Sequence, residues 1–295
     1  MMLPVIAMLA ATTCFALAST LSKFLLTYLL PTQVNMLRFG IAALVLWGVV
    51  VATGQLGRIR RIGFKPVILG LIDPGTVSLV FVVGLSMTKA SHGLVLFALA
   101  PVLMPLLAFL VLREPVRRSM FASAALAIAG TLVLFLGADS GGGGSLTGDL
   151  ICLASVMLTS TSVLLARRIA SGTGGNALPT TAVQLTMAAL LPVMVELALP
   201  RAIPSFAALP LWVWGVGLLM GVAGGALPFL LFNYALSSMP VGRASLFPPL
   251  VAPIGVLLAT VLLGETLGLP VLVAIALLLT GVFLPNILTL LRRAP

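Results

Sequence analysis

The chain has 295 residues and a net charge of +10, yet only 7% of its residues are charged, against about 25% in a typical soluble domain. Hydrophobic residues make up 61% of the chain, and its 16 basic and 6 acidic side chains cannot cover the surface of a water-soluble protein of this size. The composition therefore excludes a soluble fold and indicates an integral membrane protein. The basic residues lie in short connections between apolar runs, which argues against a nucleic-acid partner.

Apolar windows of about 20 residues, the length that crosses a hydrocarbon layer of about 30 Å, recur along the whole chain. The two-residue alternation of a membrane β-strand is absent, so we predict an all-α protein. We number the predicted helices as spans 1 to 10 in chain order: residues 4–26, 33–53, 66–87, 91–112, 119–137, 149–167, 179–199, 209–236, 243–263 and 268–290.

A glycine-rich segment, residues 138–148, separates spans 5 and 6 and is predicted to be a flexible linker. It divides the chain into two five-helix domains, residues 1–137 and 149–295. The remaining connections are short, so we expect no soluble domain.

The two predicted domains are related by a weak internal repeat. Residues 84–114 return in altered form as residues 235–265, 151 positions later, and at this offset Glu114 falls on Glu265. Each copy is a polar break followed by an apolar helix that contains prolines and ends in a glutamate.

The distribution of Lys and Arg predicts the orientation in the membrane. One set of alternate connections carries twelve of them: Arg58, Arg60, Arg61, Lys65, Arg113, Arg117, Arg118, Arg167, Arg168, Arg243, Arg292 and Arg293. The other set carries only Lys23, Lys89 and Arg201. Both termini are therefore predicted to be cytoplasmic. Because five spans per domain is an odd number, the second domain enters the membrane from the opposite side, and the repeat is inverted.

The ends of spans 4 and 9 carry a family resemblance. The endings are Leu112-Arg113-Glu114 and Leu263-Gly264-Glu265, and the second continues as Thr266-Leu267, a G-E-x-L pattern. Span 2 has an early arginine, Arg38, after Pro31. With ten spans in two inverted halves, the chain resembles the EamA family of the drug/metabolite transporter superfamily.

The resemblance implies a secondary transporter of the bacterial inner membrane, with the linker in the periplasm. Family members of this size resemble exporters of amino acids, aromatic ones included, and of related metabolites. The expected partners are a small-molecule substrate and the lipid bilayer, with a monomer as the simplest state. No P-loop, catalytic triad or metal-ligand spacing is present, so we predict no cofactor, no metal and no catalytic residue.

Polar groups at membrane depth are the candidates for substrate contact. On an ideal helix, four polar residues of span 1 lie within about 80° of one another: Thr12, Ser19, Lys23 and Thr27. This stripe either lines a cavity, with Lys23 attracting a carboxylate, or consists of hydroxyls that join helices and a lysine that extends to the membrane surface.

Arg38 and Asp73 are charged residues within spans 2 and 3. Arg38 either pairs with a carboxylate or ties its helix to neighbouring carbonyls, and the second interpretation is favoured. Asp73 precedes Pro74 and Gly75, so span 3 is predicted to be kinked there. The carboxylate is either a proton-coupling group or the buried partner of a cytoplasmic arginine.

Further candidates lie near the ends of spans 4 and 8. His92, the single histidine, is a residue type that titrates near neutral pH, although a solvated loop histidine is favoured. Asn233 and Tyr234 are cavity candidates near the cytoplasmic end of span 8, where a tyrosine equally suits an interfacial anchor. Trp212 and Trp214 are expected to belong to an aromatic belt.

Prolines in spans 4 and 9 are candidate hinges, because proline removes a helical hydrogen bond and clashes with the preceding turn. They are Pro101 and Pro105 in span 4 and Pro248, Pro249 and Pro253 in span 9.

Other functions remain open. A multidrug or cationic-compound exporter of the same superfamily requires a carboxylate facing the cavity. A membrane-embedded enzyme requires clustered carboxylates or histidines, and a channel requires a ring of charge or a carbonyl filter.

Overall fold

The computed structural model describes residues 2–112, 118–138, 144–169, 177–199, 209–238 and 247–291. Throughout this part of the chain the secondary structure is helical and contains no strand. The helices follow the predicted order of ten spans, so the predicted all-α class is confirmed. Five of the helices are long and apolar enough to cross a membrane, and five shorter apolar helices accompany them.

In the first half, spans 1 and 2 are single helices and spans 3 and 4 are interrupted. The bounds are Met2–Leu25 for span 1, Pro31–Ala52 for span 2, Lys65–Gly70, Leu71–Thr76 and Val77–Met87 for span 3, Ala90–Phe97 and Ala100–Leu112 for span 4, and Arg118–Ala138 for span 5. Two short turns, Leu56–Arg58 and Ile59–Ile62, connect spans 2 and 3.

The second half contains the other five spans. The bounds are Leu146–Ile169 for span 6, Ala177–Ala198 for span 7, Leu211–Gly221, Val222–Ala226 and Leu227–Ser238 for span 8, Pro248–Leu250 and Val251–Leu263 for span 9, and Leu269–Leu291 for span 10. Span 3 and its counterpart, span 8, are both divided into three segments.

Equivalent spans of the two halves pack against each other in opposite directions. Thr32 at the start of span 2 donates a hydrogen bond to Glu196 at the end of span 7. Further along span 2, the indole of Trp47 donates to Thr186, which is nearer the start of span 7, at 2.9 Å. The two helices are therefore antiparallel, as an inverted repeat requires.

Spans 5 and 10 show the same relation. A Cβ on Gly130, past the middle of span 5, would lie 3.1 Å from the carbonyl oxygen of Ala274, early in span 10. Gly281, further along span 10, faces Ser123, early in span 5. Span 3 packs on span 6, and span 8 packs on span 1. Exchanging the halves maps these helix pairs onto one another, so the packing has an approximate twofold symmetry.

The middle segments of spans 3 and 8 are π-helical turns, Leu71–Thr76 and Val222–Ala226. Their starts lie 151 residues apart, the offset of the sequence repeat. In span 3, Asp73 has non-helical dihedral angles of φ −138° and ψ 115°. The predicted kink at Asp73 is therefore confirmed, since Pro74 cannot donate the hydrogen bond that a regular helix would need.

Glycines bring both π-helical turns close to the opposite half. Gly70 approaches the backbone of Gln184 in span 7, while Gly221 approaches Ile41 in span 2. A side chain at either position would overlap these atoms, so the helices pack closely at both glycines.

Large apolar side chains face outward along most of the described spans. Leu197 in span 7 exposes 84% of its surface and Leu211 in span 8 exposes 86%. A soluble protein rarely exposes so much contiguous apolar surface, whereas lipid covers it at no cost.

Candidate functional site

Spans 3 and 4 are joined by a short connection, Thr88–Lys89, at one end of the bundle. Three ionisable side chains from other parts of the chain bind this turn or the helix start that follows it: Lys23, Asp149 and Glu265. We refer to these three residues and the segment 88–92 as the 3–4 clamp. Since Lys23 belongs to the first half and the two acids to the second, the clamp joins the halves at this end.

Lys23 holds the end of the helix that precedes the connection. Its ammonium donates hydrogen bonds to the carbonyl oxygens of Leu85 at 2.8 Å and Thr88 at 2.6 Å. These are terminal carbonyls of the helix, where the helix dipole favours a positive charge. Lys23 therefore binds a helix end in this structure.

Glu265 holds the start of the helix that follows the connection. Its carboxylate oxygens accept hydrogen bonds from the backbone N–H groups of Ala90 at 2.7 Å and Ser91 at 3.0 Å. The helix dipole favours a negative charge at this end. The sequence placed Glu265 at the end of its own span 9, but its side chain caps span 4 instead. Gly264, with φ 66°, allows the chain to turn out of span 9 just before it.

Asp149 lies in the first turn of span 6 and is fully buried. Its carboxylate accepts a hydrogen bond from Thr88 Oγ1 at 2.6 Å and pairs with His92 Nδ1 at 3.0 Å. His92 is therefore buried against an acid and is not a solvated loop residue. Sequence reasoning missed Asp149, although an acid in the first turn of a helix that follows a linker was an available signal.

Arg38 contacts the π-helical turn of span 8. Its Nε and Nη2 donate to the carbonyl oxygen of Gly224 at 3.1 and 2.9 Å. A π-helical turn leaves carbonyls without a helical partner, and the planar guanidinium reaches this one with two donors. The contact is with a carbonyl and not with a carboxylate.

Asp73 occupies the position in span 3 that corresponds to Gly224 in span 8. Its carboxylate accepts a hydrogen bond from Ser162 Oγ in span 6 at 2.7 Å. The arginines next along span 6, Arg167 and Arg168, have side chains that lie outside the described part of the structure. The two equivalent turns thus carry different polar chemistry, a carboxylate in one and a carbonyl held by a guanidinium in the other.

One face of span 1 combines aromatic and polar side chains. Phe15, Ser19 and Lys23 follow one another at four-residue steps and are all half-buried. The Phe15 ring packs edge-to-face on Phe229 at 5.5 Å and Phe232 at 6.4 Å between centroids. Ser19 donates to the carbonyl of Phe15 at 3.2 Å, so its hydroxyl bonds within its own helix.

The remaining candidates lie in span 8. Tyr234 is exposed, and the side chain of Asn233 lies outside the described part. Trp212 packs on Tyr28, with centroids 5.1 Å apart, and both rings are exposed. Exposed amphipathic rings at helix ends suit a membrane–water interface.

The candidate hinge prolines lie next to helix interruptions. Span 4 breaks at residues 98–99, immediately before Pro101, which cannot donate to the carbonyl of Phe97. The side chain of Pro105, and the whole of Glu114, lie outside the described residues. In span 9, Pro248 and Pro249 form a 3₁₀ turn and Pro253 lies in the first helical turn after it.

The described residues contain no group of three His, Cys, Asp or Glu side chains that could hold a metal ion. The site is thus built from helix ends, single charges and aromatic rings.

Ten apolar helical spans whose two halves pack in opposite directions define a multi-pass membrane protein with the architecture of secondary transporters. The profile of the EamA-like transporter family matches residues 2–136 and 146–287. The chain belongs to this family.

Two individual proteins illustrate the similarity. The chain is 24% identical over 256 residues to the uncharacterized transporter YyaM of Bacillus subtilis (strain 168). The alignment covers 85% of this chain and 81% of YyaM. One solved crystal structure superposes with a TM-score of 0.68 and 20% identity, covering 98% of this chain and 99% of its own. The second similarity concerns the fold.

Proposed function

We propose that the protein exports amino acids, aromatic ones among a broad set, and related small metabolites across the bacterial inner membrane by alternating access. Family membership supports transport, and the amino-acid substrate and the outward direction are the proposal. Both termini lie in the cytoplasm on this proposal, which the asymmetric distribution of Lys and Arg supports.

The antiparallel packing of equivalent spans supports alternating access. In a transporter built from two inverted halves, one half rocks against the other around a site between them. The site then opens to one side of the membrane and to the other in turn. The interruptions of spans 3, 4 and 8 supply positions where the helices bend with little loss of hydrogen bonding.

The face of span 1 is the observation that carries the substrate class. It places an ammonium, Lys23, two helical turns from the phenyl cluster of Phe15, about 12 Å along the helix at 1.5 Å per residue. A substrate with a carboxylate and an apolar or aromatic side chain matches these two groups. A cationic drug matches them less well, because the carboxylates of Asp73 and Asp149 are engaged with hydroxyl groups and His92.

Reconstitution tests the proposal. Proteoliposomes loaded with labelled aromatic, aliphatic, acidic and basic amino acids are assayed for efflux, with and without a pH gradient, beside protein-free liposomes and liposomes loaded with ethidium. We expect efflux of phenylalanine and several other amino acids above the protein-free level. Efflux of ethidium without efflux of any amino acid would favour the cationic-compound exporter and contradict the proposal.

A further inference from the structure

The N-terminus of the first helix of span 4, Ala90–Phe97, gathers more polar groups than a helix cap requires. Two backbone N–H groups, of Ala90 and Ser91, already bind the two oxygens of Glu265. A capping carboxylate needs no more donors than these. Two further polar groups nevertheless belong to this turn or bind to it.

The first additional group is the hydroxyl of Ser91. The residue is completely buried, and its Oγ has no hydrogen-bond partner among the described residues. An unpartnered buried hydroxyl is destabilising, so such groups usually mark a missing ligand or water. This hydroxyl belongs to the same residue whose N–H holds Glu265 Oε2 at 3.0 Å.

The second additional group is the ammonium of Lys23. It donates to the carbonyl oxygens of Leu85 and Thr88, and Thr88 lies two residues before Ala90, whose N–H binds Glu265. An ammonium has three donors, and two of them are used by these carbonyls. Two N–H groups thus bind the carboxylate of Glu265 at a turn that also carries the unpartnered hydroxyl of Ser91 and, at Thr88, the ammonium of Lys23.

We propose that this position is a binding site for the carboxylate of the exported substrate. In the present conformation the carboxylate of Glu265 occupies the site, and the carboxylate of the substrate displaces it on binding. The proposal rests on the proposed function and specifies where the carboxylate of an amino acid binds. Helix N-termini that face a substrate carboxylate serve this purpose in other transporter folds.

The position of Glu265 in the chain allows the exchange. It is half-buried and lies in the non-helical connection 264–268 between spans 9 and 10. Its displacement breaks no helical hydrogen bond, apart from the single weak bond of 3.4 Å between its N–H and Ala259. The displacement also releases span 4 from span 9 and so frees one contact between the two halves. Binding of a carboxylate and opening of this end of the bundle are thereby coupled.

Equilibrium binding of tritiated L-phenylalanine to the purified full chain tests the exchange, with L-phenylalaninamide as the competitor that lacks a carboxylate. Glu265→Ala removes the internal competitor and should tighten phenylalanine binding at least about threefold, because an occupied site lowers the apparent affinity. Ser91→Ala should weaken it about tenfold, the usual effect of losing a hydrogen bond to a charged group. Neither variant should change competition by the amide.

Thr266→Ala, on the same connection, is the matched control and should bind as the parent does. Ser91→Ala should melt at the parental temperature or above, since it removes a buried unpartnered group, so weaker binding would not reflect misfolding. If Glu265→Ala does not fold, Glu265→Gln takes its place with a smaller tightening expected.

The outcomes separate the two proposals. Parent protein that neither binds nor transports any amino acid overturns the proposed function and this inference with it. Parent protein that binds phenylalanine, together with a Glu265 variant that binds it no more tightly, overturns the inference alone. An equal effect on the acid and the amide also overturns it, because Glu265 would then act only as a structural cap.

Discussion

At the scale of single residues, two charges in this membrane protein are placed against helix ends. Lys23 meets carbonyls at the end of one helix, and Glu265 meets N–H groups at the start of the next. Each charge thus finds partners of opposite polarity without a salt bridge. This arrangement reduces the cost of holding a charge near the hydrocarbon, which amounts to a few kcal/mol for each unpaired group.

These partners could not be read from the sequence. Glu265 was identified as a helix-end residue, but the N–H that it caps lies 175 residues away in the chain. Sequence periodicity reports which face of one helix is polar, and it does not report which other helix that face meets. Asp149 was missed for the same reason, because its partners, Thr88 and His92, belong to the other half.

The first prediction concerns Lys23. Replacement by alanine leaves the carbonyls of Leu85 and Thr88 without their donor, so Lys23→Ala should destabilise the protein by about 1–3 kcal/mol. It should also lower efflux of amino acids at subsaturating concentration, while an amide substrate is unaffected. Thermal unfolding in detergent and proteoliposome efflux measure the two effects.

Lys89→Ala is the control for this prediction, because it removes an ammonium from the same turn. It should leave both quantities at the parental level. Equal efflux from Lys23→Ala and the parent protein would exclude a role of Lys23 in substrate binding and leave it a purely structural residue.

At the scale of elements, the sequence predicted where helices break better than how they pack. Proline and glycine remove specific backbone interactions locally, so the kink at Asp73-Pro74 and the interruption before Pro101 follow from neighbouring residues. Packing depends on residues from distant parts of the chain. The close contact of span 8 with span 2, for example, depends on Gly221 lying against Ile41.

The second prediction uses two glycines of the same helix. A Cβ on Gly221 would lie 2.4 Å from the Cβ of Ile41, whereas a Cβ on Gly215 would meet nothing within 4 Å. Gly221→Ala should therefore destabilise the protein by about 1–3 kcal/mol through overpacking. Gly215→Ala should be neutral or should stabilise it by up to about 1 kcal/mol, through helix propensity.

Thermal unfolding of the two variants in the same detergent measures this contrast. Since both changes are Gly→Ala within one helix, any general effect of the substitution cancels in the comparison. Similar melting temperatures for the two variants would contradict the close contact between spans 2 and 8.

The third prediction concerns the break in span 4. Alanine at positions 101 and 105 restores backbone donors, and position 101 then reaches the carbonyl of Phe97, so the two segments of span 4 can join into one helix. If span 4 bends during transport, the double variant Pro101→Ala/Pro105→Ala should lower turnover several-fold while the apparent affinity changes little. Initial rates of efflux over a range of substrate concentrations separate the two parameters.

Pro31→Ala is the matched control, because Pro31 occupies the first position of span 2, where a proline removes no helical hydrogen bond. This variant should transport as the parent does. A correctly folded double variant with parental turnover would show that the break only shapes static packing, and the corresponding hinge assignment in span 9 would lose its support.

At the scale of the whole molecule, hydropathy alone located ten spans, because the length of a membrane helix is set by the bilayer and every span must satisfy it. The inversion of the second half followed from an odd number of spans in each half. The structure adds the evidence that spans 2 and 7 are antiparallel, through the contacts Thr32–Glu196 and Trp47–Thr186. The 3–4 clamp could not be predicted from the sequence, since its residues come from both halves of the chain.

The last prediction concerns the orientation of the molecule in the membrane. Twelve Lys and Arg residues lie in the connections on one side and three in those on the other, and positively charged connections remain in the cytoplasm. Alkaline phosphatase is active only outside the cytoplasm and a fluorescent protein only inside it, so paired fusions at Gly142 and at the C-terminus report each location. Phosphatase activity is expected at Gly142 alone, and fluorescence at the C-terminus alone. Five predicted spans separate the two fusion sites, and an odd number of membrane crossings places the sites on opposite sides of the membrane. The same reporter active at both sites would mean an even number of crossings, and the two halves would then not be inverted.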